Sequence, residues 1–522
     1  MGKWLDRNIF QSQIKGVIML TKARRHDSHL APPCISDPTI HLRPSPSPAA
    51  AHFKYPPRAR VSARLDHHHH YDDAHRERAS GGEAASSART AAGAPAHIAT
   101  MIAAADRAGL SSSAASMVAV VALALMLSTH LAVVARARRG GGFGGGDIAG
   151  GGPCALAVTP LGYPCEEHQV TAEDGYILSL QRIPRGRRRG GGGGGARAGQ
   201  PVLLQHGVLV DGMSWLLASP EESLPFILAD RGFDVWIANT RGTRWSRRHV
   251  SLDPSSRLYW NWSWDDLVVN DLPAMVDFVF RQTRQKPHYV GHSMGTLVAL
   301  AAFSEGRAVD KLKSAALLTP VAYLAHITTP IGILLARAFV GELISDLLGV
   351  AEFNPLSPPV TNLIRVFCRH PGMNCYDLIG SITGKNYCLN SSAVDVFLKY
   401  EPQPTSTKTM VHFAQTVRDG VLTKYDYVAP ELNIASYGQA EPPVYDMASI
   451  PASFPLFLTY GGRDSLADPA DVRLLLDDLR GHDADKLTVQ YLDQFAHLDF
   501  VIGVCARDYV YKDMIAFFDR FN

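Results

Sequence analysis

Cysteine is scarce in this sequence, and the few cysteines are widely spaced. The chain of 522 residues contains seven of them, too few for a disulfide scaffold, and no Cys-x-x-Cys pair indicates a zinc ribbon. A Gly-x-x-x-x-Gly-Lys phosphate-binding loop is also missing. The net charge is only +2, so the composition indicates neither nucleic acid nor a strongly acidic partner. With 46% hydrophobic residues, the chain has the composition of a globular protein with a large core.

Residues 1–115 lack the periodicity of a folded domain. They are rich in Ala, Arg, His, Pro and Ser without a sustained apolar period, so we interpret them as a disordered low-complexity region or as a gene-model extension. The run His67–His70 could bind a metal, but a solvated tract is the simpler explanation. We therefore predict no metal site in this region.

Residues 116–137 contain an apolar segment of the kind found in secretory signals. Its strictly apolar core, Met117–Leu127, has 11 residues, which is shorter than the about 20 residues of a membrane span. Ala135–Ala137 then has the small-x-small form of a signal-peptidase site.

The internal position of this segment leaves two interpretations. Either Met101 or Met117 is the true start of the protein, or residues 117–135 form an internal signal-anchor. Acidic residues upstream argue against an organelle transit peptide. We therefore predict the secretory pathway, with an extracellular or vacuolar location, and keep a membrane-anchored protein as the alternative.

A glycine-rich linker over 138–152 precedes the folded region. Beyond it, short apolar runs alternate with helical segments, which is typical of a mostly parallel sheet covered by helices on both faces. Residues 324–450 interrupt this rhythm, and we interpret them as a cap or lid inserted between two parts of the core, 153–323 and 451–522. The predicted strands are 176–183, 201–204, 234–238, 288–290, 315–318, 456–460 and 487–492.

The chain is organised around the pentapeptide Gly291-His292-Ser293-Met294-Gly295, which a short apolar strand precedes and an apolar helix follows. Strand, sharp turn and helix are the context in which Gly-x-Ser-x-Gly forms a nucleophile elbow. Side chains at Gly291 and Gly295 would collide where strand and helix come close, so glycine is needed at both. We predict that Ser293 is a nucleophile; the alternative is an ordinary glycine-rich turn.

A serine nucleophile needs a base, and the base needs a carboxylate that orients it. In folds with this elbow the order is Ser, acid, His, each beyond the carboxyl end of a strand. His497 follows the last strand, whereas His482 precedes it at the wrong edge, so we predict His497 as the base. Asp464 is favoured as the acid. Asp468 is the alternative, although it is also a good N-cap for a helix that begins at Pro469.

An oxyanion hole is expected beside the elbow. Its two donors should be the backbone N–H of Met294 and one N–H from the loop after Gln205-His206-Gly207, where Val208 is the natural donor. Because the donor is a backbone group, the side chain at this position need only be compatible in size.

Four motifs together resemble the acid lipase family of α/β-hydrolases, which includes gastric and lysosomal acid lipases and plant triacylglycerol lipases. They are Gly-His-Ser-Met-Gly-Thr, Leu-Leu-Gln-His-Gly-Val-Leu-Val-Asp-Gly, Ala-Asn-Thr-Arg-Gly-Thr and Gly-Gly-Arg-Asp-Ser-Leu-Ala-Asp-Pro. The segments most like the plant branch are Glu401–Lys408 and Val417–Tyr427. The resemblance runs from about Cys154 to the C-terminus.

The resemblance implies an α/β-hydrolase fold with a mostly parallel eight-stranded sheet and a mainly helical cap. It matches Ser293, Asp464 and His497 to the family's catalytic positions, and Val208 and Met294 to its oxyanion donors. Members of the family often have Leu where this chain has Val208. A β-branched residue there could narrow the mouth of the site without removing the donor.

The cysteines give only partial information about disulfide bonds. Cys154 and Cys165 could pair in a secreted protein, and Cys505 is interpreted as a buried free thiol. No pairing can be deduced for Cys368, Cys375 and Cys388.

Two glycosylation acceptors are present by sequence, Asn390-Ser-Ser and Asn261-Trp-Ser. Asn390 is the stronger candidate, because Asn261 lies between tryptophans that a core could bury. Both fit a protein of the secretory pathway.

These features predict a serine acyl hydrolase that cleaves triacylglycerols or related neutral lipids through an acyl-enzyme, without a cofactor or metal. The expected partner is a lipid ester at a lipid–water interface, with transient contact to a membrane or lipid-droplet surface. Alternatives are activity on sterol, wax or galactolipid esters, acyl transfer, and lipid binding without catalysis. The cap is expected to be a mobile lid, with a rigid tunnel as the alternative.

Overall fold

The computed structural model describes residues 151–187, 199–329, 351–355 and 375–522. The predictions for 1–115, 116–137 and nearly all of 138–152 lie outside these residues, as do parts of the predicted cap. None of the helices in the described ranges combines the length and the apolar character that crossing a membrane requires.

One mixed sheet forms the centre of the described region. Its order is β1-β2-β4-β3-β6-β7-β10-β11, with β5 paired to β2, while β8 and β9 pair separately. The strands are β1 Glu166–Thr171, β2 Tyr176–Ile183, β3 Pro201–Gln205, β4 Asp234–Ala238, β5 Arg248–His249, β6 His288–His292, β7 Ser314–Leu318, β8 Glu352–Phe353, β9 Thr405–Ser406, β10 Leu456–Gly461 and β11 Leu487–Leu492.

The direction of the strands divides the sheet into two parts. All neighbouring pairs from β4 to β11 along the sheet are parallel, whereas β2 pairs antiparallel with β1, β4 and β5. The predicted mostly parallel α/β-hydrolase sheet is confirmed: eight strands follow the main order, and the two-residue β5 is added at its side. The sequence did not reveal β1, β5 or the small β8–β9 pair.

Helices cover both faces of this sheet, and short 3₁₀ and π turns join them to the strands. The α-helices of the described ranges are α1 Leu224–Asp230, α2 Trp264–Asp266, α3 Leu272–Thr283, α4 Met294–Ser304, α5 Cys375–Thr383, α6 Ser391–Tyr400, α7 Thr407–Asp419, α8 Pro430–Tyr437, α9 Pro469–Asp478 and α10 Lys512–Asp519. Of these, α5 to α8 lie in the chain between β7 and β10.

The core explains why the strand sequences are continuously apolar rather than alternating. Every residue of β3, β4, β6 and β7 is buried, as expected for parallel strands covered on both faces. Helix α4 is also buried throughout from Met294 to Phe303, so it has no polar face. At the sheet edge, β11 instead alternates between partly buried and exposed residues.

Disulfide bonds in the described ranges join Cys154 to Cys165 and Cys388 to Cys505, with Cα atoms 5.4 and 5.8 Å apart. The first pair was predicted, but the interpretation of Cys505 as a free thiol is wrong. The two partners of the second pair are 117 residues apart in the chain, and only folding brings them together. Cys368 and the side chain of Cys375 lie outside the described residues.

Helix α7 docks on the core through a stacked pair of rings. The ring of His412 lies on that of Trp264 with 3.9 Å between centroids and 9° between planes. His412 is completely buried, and its Nε2 donates to the carbonyl of Thr423 at 3.0 Å. Burial lowers the pKa of His412 to about 3, because the cation would lose its hydration in this contact.

Replacing His412 with Phe should make the fold less sensitive to acid. The pKa is about 3 in the folded protein and about 6.5 in an unfolded chain. Protonation therefore favours unfolding, and stability is lost as the pH falls from about 6.5 toward the folded value. The Phe variant keeps the stacking, and its free energy of unfolding should decline by up to about 1.4 kcal/mol less per pH unit in this window.

Urea unfolding at about pH 7.5, 6 and 5 measures this difference. The lost hydrogen bond to Thr423 lowers stability equally at every pH, so only the slopes are compared. Identical slopes for both proteins would show that the pKa of His412 is the same in the folded and unfolded states, which would contradict the prediction.

Candidate active site

The predicted site residues all follow the carboxyl ends of parallel strands. Gly207 and Val208 follow β3, Ser293 follows β6, Asp464 follows β10 and His497 follows β11. Parallel strands present their carboxyl ends at one edge of the sheet, so four distant segments of the chain meet there. The rejected His482 lies at the other edge: its Nε2 is 2.7 Å from the carbonyl oxygen of Phe454, just before β10 begins.

Ser293 forms the sharp turn between β6 and α4, with φ 54° and ψ −118°. This left-handed conformation is strained for a residue other than glycine. A Cβ atom at Gly291 would lie 2.8 Å from the backbone of Gly295, and one at Gly295 would lie 2.6 Å from the carbonyl oxygen of Gln205. The close approach of strand and helix therefore requires glycine at both positions.

His497 and Asp464 form a hydrogen-bonded pair. Nδ1 of His497 donates to Asp464 Oδ2 at 2.9 Å and approaches Oδ1 at 3.1 Å, and both residues are buried. With the proton of the neutral ring on Nδ1, Nε2 has the lone pair that a base needs. In the described residues, Ser293 Oγ makes no direct hydrogen bond to His497; such contacts often tighten only when substrate binds.

The two candidate acids have different surroundings. The carboxylate of Asp468 caps α9 by accepting a backbone N–H of its first turn at 2.8 Å. Asp464 contacts His497 and has a further task that the sequence did not reveal. Its Oδ1 accepts the backbone N–H groups of Leu466 and Ala467, each at 2.9 Å, which fix the carboxylate independently of the histidine.

The loop that carries His497 is held from two sides. The backbone N–H of His497 donates to the carbonyl of Thr383, at the end of α5, at 3.2 Å. On the other side, Nε2 of His292 donates to the carbonyl of His497 at 3.0 Å. Burial, with the neighbouring His497 as a second cause, lowers the pKa of His292 to about 3. The neutral His292 ring therefore ties the loop to the turn at Ser293.

The segment after α5 also contacts the backbone of the loop that carries Asp464. Gly384 has a φ of +94° and forms an isolated antiparallel bridge with Asp464. A Cβ atom at Gly384 would lie 1.9 Å from the carbonyl oxygen of Arg463. This position therefore requires glycine for both its conformation and the space it occupies.

The loop after β3 passes beside Ser293: a Cβ atom at Gly207 would lie 3.0 Å from that of Ser293. The buried His206 donates from Nδ1 to the Gly207 carbonyl at 2.8 Å and accepts the Thr240 N–H at Nε2 at 3.0 Å. Burial lowers the pKa of His206, which favours this neutral form. Because C=O and N–H point in opposite directions across a trans peptide, fixing the Gly207 carbonyl also fixes the Val208 N–H.

Met294 supplies the other predicted donor. It is the first residue of α4 and is buried. The backbone N–H of a first helical residue has no partner within the helix. Val208 and Met294 thus present backbone N–H groups from the two segments that flank Ser293.

Sequence reasoning missed the residues that hold the site in place. His206 and His292 stand inside the quoted motifs Gln-His-Gly and Gly-His-Ser, but their ring partners are not adjacent in sequence. Thr383 and Gly384 carried no sequence signal, since their partners are the backbones of loops about eighty or more residues away.

The two glycosylation acceptors are both exposed. Asn390 caps α6, because its Oδ1 accepts the N–H of Ala393 at 2.7 Å. Asn261 is exposed although Trp260 and Trp262 on either side of it are buried. Both acceptors remain predictions, and burial is no obstacle at either.

Known proteins resemble this chain over most of its described length. Residues 155–219 match the model of a partial alpha/beta-hydrolase lipase region, and residues 200–348 match that of the alpha/beta hydrolase fold. The chain is 56% identical to triacylglycerol lipase 2 of Arabidopsis thaliana, over 71% of this chain and 88% of that protein. It is 40% identical to triacylglycerol lipase 1 of the same plant, over 70% and 90%, and 37% identical to human gastric triacylglycerol lipase, over 69% and 89%.

Gly384→Ala should disturb the site, whereas Gly380→Ala in α5 should not. A methyl group at 384 would collide with the Arg463 carbonyl beside Asp464, while nothing lies within 4 Å of a Cβ atom at 380. A misplacement of about 1 Å can slow a reaction about a hundredfold. Labelling of Ser293 by a fluorophosphonate should therefore slow by about ten- to a hundredfold in the first variant only. Equal labelling rates in the two variants would contradict this role of Gly384.

Proposed function

Because the chain belongs to the acid lipase family of α/β-hydrolases, we propose that Ser293, Asp464 and His497 are the catalytic triad of a triacylglycerol lipase. The protein is a carboxylic ester hydrolase, related to named triacylglycerol lipases over 88% to 90% of their length. The observation that carries the proposal is the 2.9 Å hydrogen bond from His497 Nδ1 to Asp464 Oδ2, at the sheet edge where Ser293 immediately precedes α4.

In the first half of the reaction, Ser293 Oγ attacks the ester carbonyl carbon while Nε2 of His497 takes the hydroxyl proton. A bond forms between Oγ and this carbon, and the carbonyl oxygen becomes an oxyanion. The bond from carbon to the glycerol oxygen then breaks, and His497 returns the proton to the leaving alcohol. Water repeats the sequence on the acyl-enzyme and releases the fatty acid and the free serine.

The other site groups act on the charges that develop during these steps. Asp464 holds the imidazole with its proton on Nδ1 and stabilises the cation after Nε2 is protonated. The backbone N–H groups of Val208 and Met294 would donate to the oxyanion. The support for Val208 is the bond from His206 to the Gly207 carbonyl, which sets the direction of this N–H.

We further propose that α5 to α8 belong to a cap over the site. They lie in the insertion between β7 and β10, and the carbonyl of Thr383 at the end of α5 accepts the backbone N–H groups of Ser465 and His497. Because a triacylglycerol is insoluble, the enzyme must bind it at a lipid–water interface. Transient contact of the enzyme with a lipid surface is therefore part of this proposal. The disulfide bonds support a compartment of the secretory pathway.

Ser293→Ala should abolish ester hydrolysis and leave the fold intact. Without the nucleophile no acyl-enzyme forms, and loss of a triad member typically costs several orders of magnitude in rate. Hydrolysis of an emulsified triacylglycerol and of a short-chain ester measures the loss, and the unfolding temperature serves as the control. An alanine variant within about tenfold of the parent rate would refute the assignment of Ser293.

Asp464→Asn and Asp468→Ala should differ in the property they change. The first variant alters the partner of His497 Nδ1 and should lower kcat by about 10⁴-fold. The second removes an N-cap and should cost about 1 kcal/mol of stability with nearly unchanged kcat. Rates and urea unfolding measured for both variants separate the two effects. If the phenotypes are exchanged, Asp468 is the acid.

A further inference from the structure

The loop that carries Val208 is bonded on its far side to Tyr400–Gln403, which are the last residue of α6 and the three residues after it. The backbone N–H of Gln403 donates to the carbonyl of Leu209 at 2.7 Å. Leu209 has a φ of 59°, a strained value that surrounding contacts must maintain. Arg244 spans the same contact, donating from Nη2 to the Tyr400 carbonyl at 2.9 Å. We refer to the contact of Leu209–Asp211 with Tyr400–Gln403 as the loop seam.

Two carboxyl groups meet in the loop seam. Asp211 is 0% exposed and Glu401 is 1% exposed. The backbone N–H of Asp211 donates to Glu401 Oε1 at 3.2 Å, which places the two buried carboxyl groups in the same contact. Oε2 of Glu401 is buried and has no donor among the described groups. A hydrogen bond between two carboxyl groups requires a proton on one of them.

Among the residues that the structure describes, one cation bonds to this pair. Nε of Arg244 donates to Asp211 Oδ2 at 2.7 Å. Other titratable groups nearby are His206, Lys399 and Tyr400. Burial lowers the pKa of His206, and the ammonium group of Lys399 lies over the Tyr400 ring at the end of α6. Since one guanidinium balances one carboxylate, a second buried carboxyl group is best accommodated in its neutral form.

We propose that Glu401 is a positioning residue: its protonated carboxyl group donates to Asp211 and holds the loop with Val208 against Ser293. This inference rests on the proposed function, because the position of Val208 matters only if its N–H binds an oxyanion. Loss of the proton would leave two negative carboxylates facing one guanidinium in a buried contact. Their repulsion opens the loop seam, releases Leu209 and moves the Val208 N–H away from the reacting oxygen.

The direction of the pH dependence follows from the environment of Glu401. Burial, and next the charge of Asp211, raise the pKa of Glu401 well above its usual range. The protonated form is therefore present at low pH and is lost as the pH rises through this raised pKa. Hydrolysis should decline there on the alkaline side, by up to about tenfold per pH unit for one proton.

Two substitutions test the proposal by replacing one carboxyl group of the pair with an amide, whose N–H takes the place of the proton between them. Glu401→Gln and Asp211→Asn each supply an N–H donor that does not titrate. Glu401→Gln also keeps the Asp211 carboxylate that Arg244 bonds, whereas Asp211→Asn leaves Glu401 as the remaining carboxyl group of the pair. The pH profile of kcat/KM, measured with a water-soluble short-chain ester, should extend by at least about one pH unit to the alkaline side in both. The exposed Glu431→Gln is the matched control and should keep the parent profile. Either variant suffices if the other fails to fold.

The outcomes distinguish this proposal from the proposed function. A parent enzyme without ester hydrolysis would refute the function itself. Active Glu401→Gln and Asp211→Asn variants with the alkaline limit of the parent would overturn only the role of Glu401. Glu401→Ala should lower kcat by about ten- to a hundredfold with little change in KM, because it loosens a transition-state donor. A purely structural role would lower the unfolding temperature of this variant without changing kcat.

Discussion

The contact of α4 with β3 at Gly295 is the constraint on which the site depends. A Cβ atom at Gly295 would lie 2.6 Å from the carbonyl oxygen of Gln205 and 3.0 Å from that of His206. Backbone meets backbone here, so the turn at Ser293 and the end of β3 cannot move independently. The strained φ of Ser293 belongs to this close approach. The Gly207 carbonyl is fixed separately, by the ring of His206.

The chain between β7 and β10 braces the loops of the candidate site. On the side of Asp464 and His497, Thr383 accepts the His497 N–H and Gly384 forms a bridge to Asp464. On the opposite side, Gln403 donates to Leu209 in the loop after β3. Each loop of the site is thus bonded to a second segment beyond the sheet. Such a second layer of contacts holds reacting groups within the tolerance that catalysis needs.

Buried ionisable groups pull the stability of this fold in opposite directions with pH. Burial lowers the pKa of His288 to about 4 and that of His292 to about 3, so these rings destabilise the fold as acid is added. Burial raises the pKa of Asp265 to about 6, and this carboxyl group loses stabilising protonation as the pH rises. The buried histidines therefore limit the stability of the fold at low pH, and the buried carboxyl group limits it at high pH. Opposed contributions of this kind make the pH response a property of the folded environment rather than of composition.

The sequence by itself determined the elements whose signals are local. Continuous apolar runs identify strands buried on both faces, and the glycines around Ser293 identify the elbow, because both depend on immediate neighbours. The order of strand ends also separated His497, the predicted base, from His482 at the other edge of the sheet. Only the tertiary structure decided which distant groups meet: Cys388 with Cys505, His292 with the His497 carbonyl, and Glu401 with Asp211. These contacts join segments that packing brings together, and they cannot be predicted from the periodicity or the residue spacing of the sequence. The physical reason is that hydrogen bonds and disulfides act over a few ångströms in space, whereas the residues they join can be any number of positions apart in the sequence.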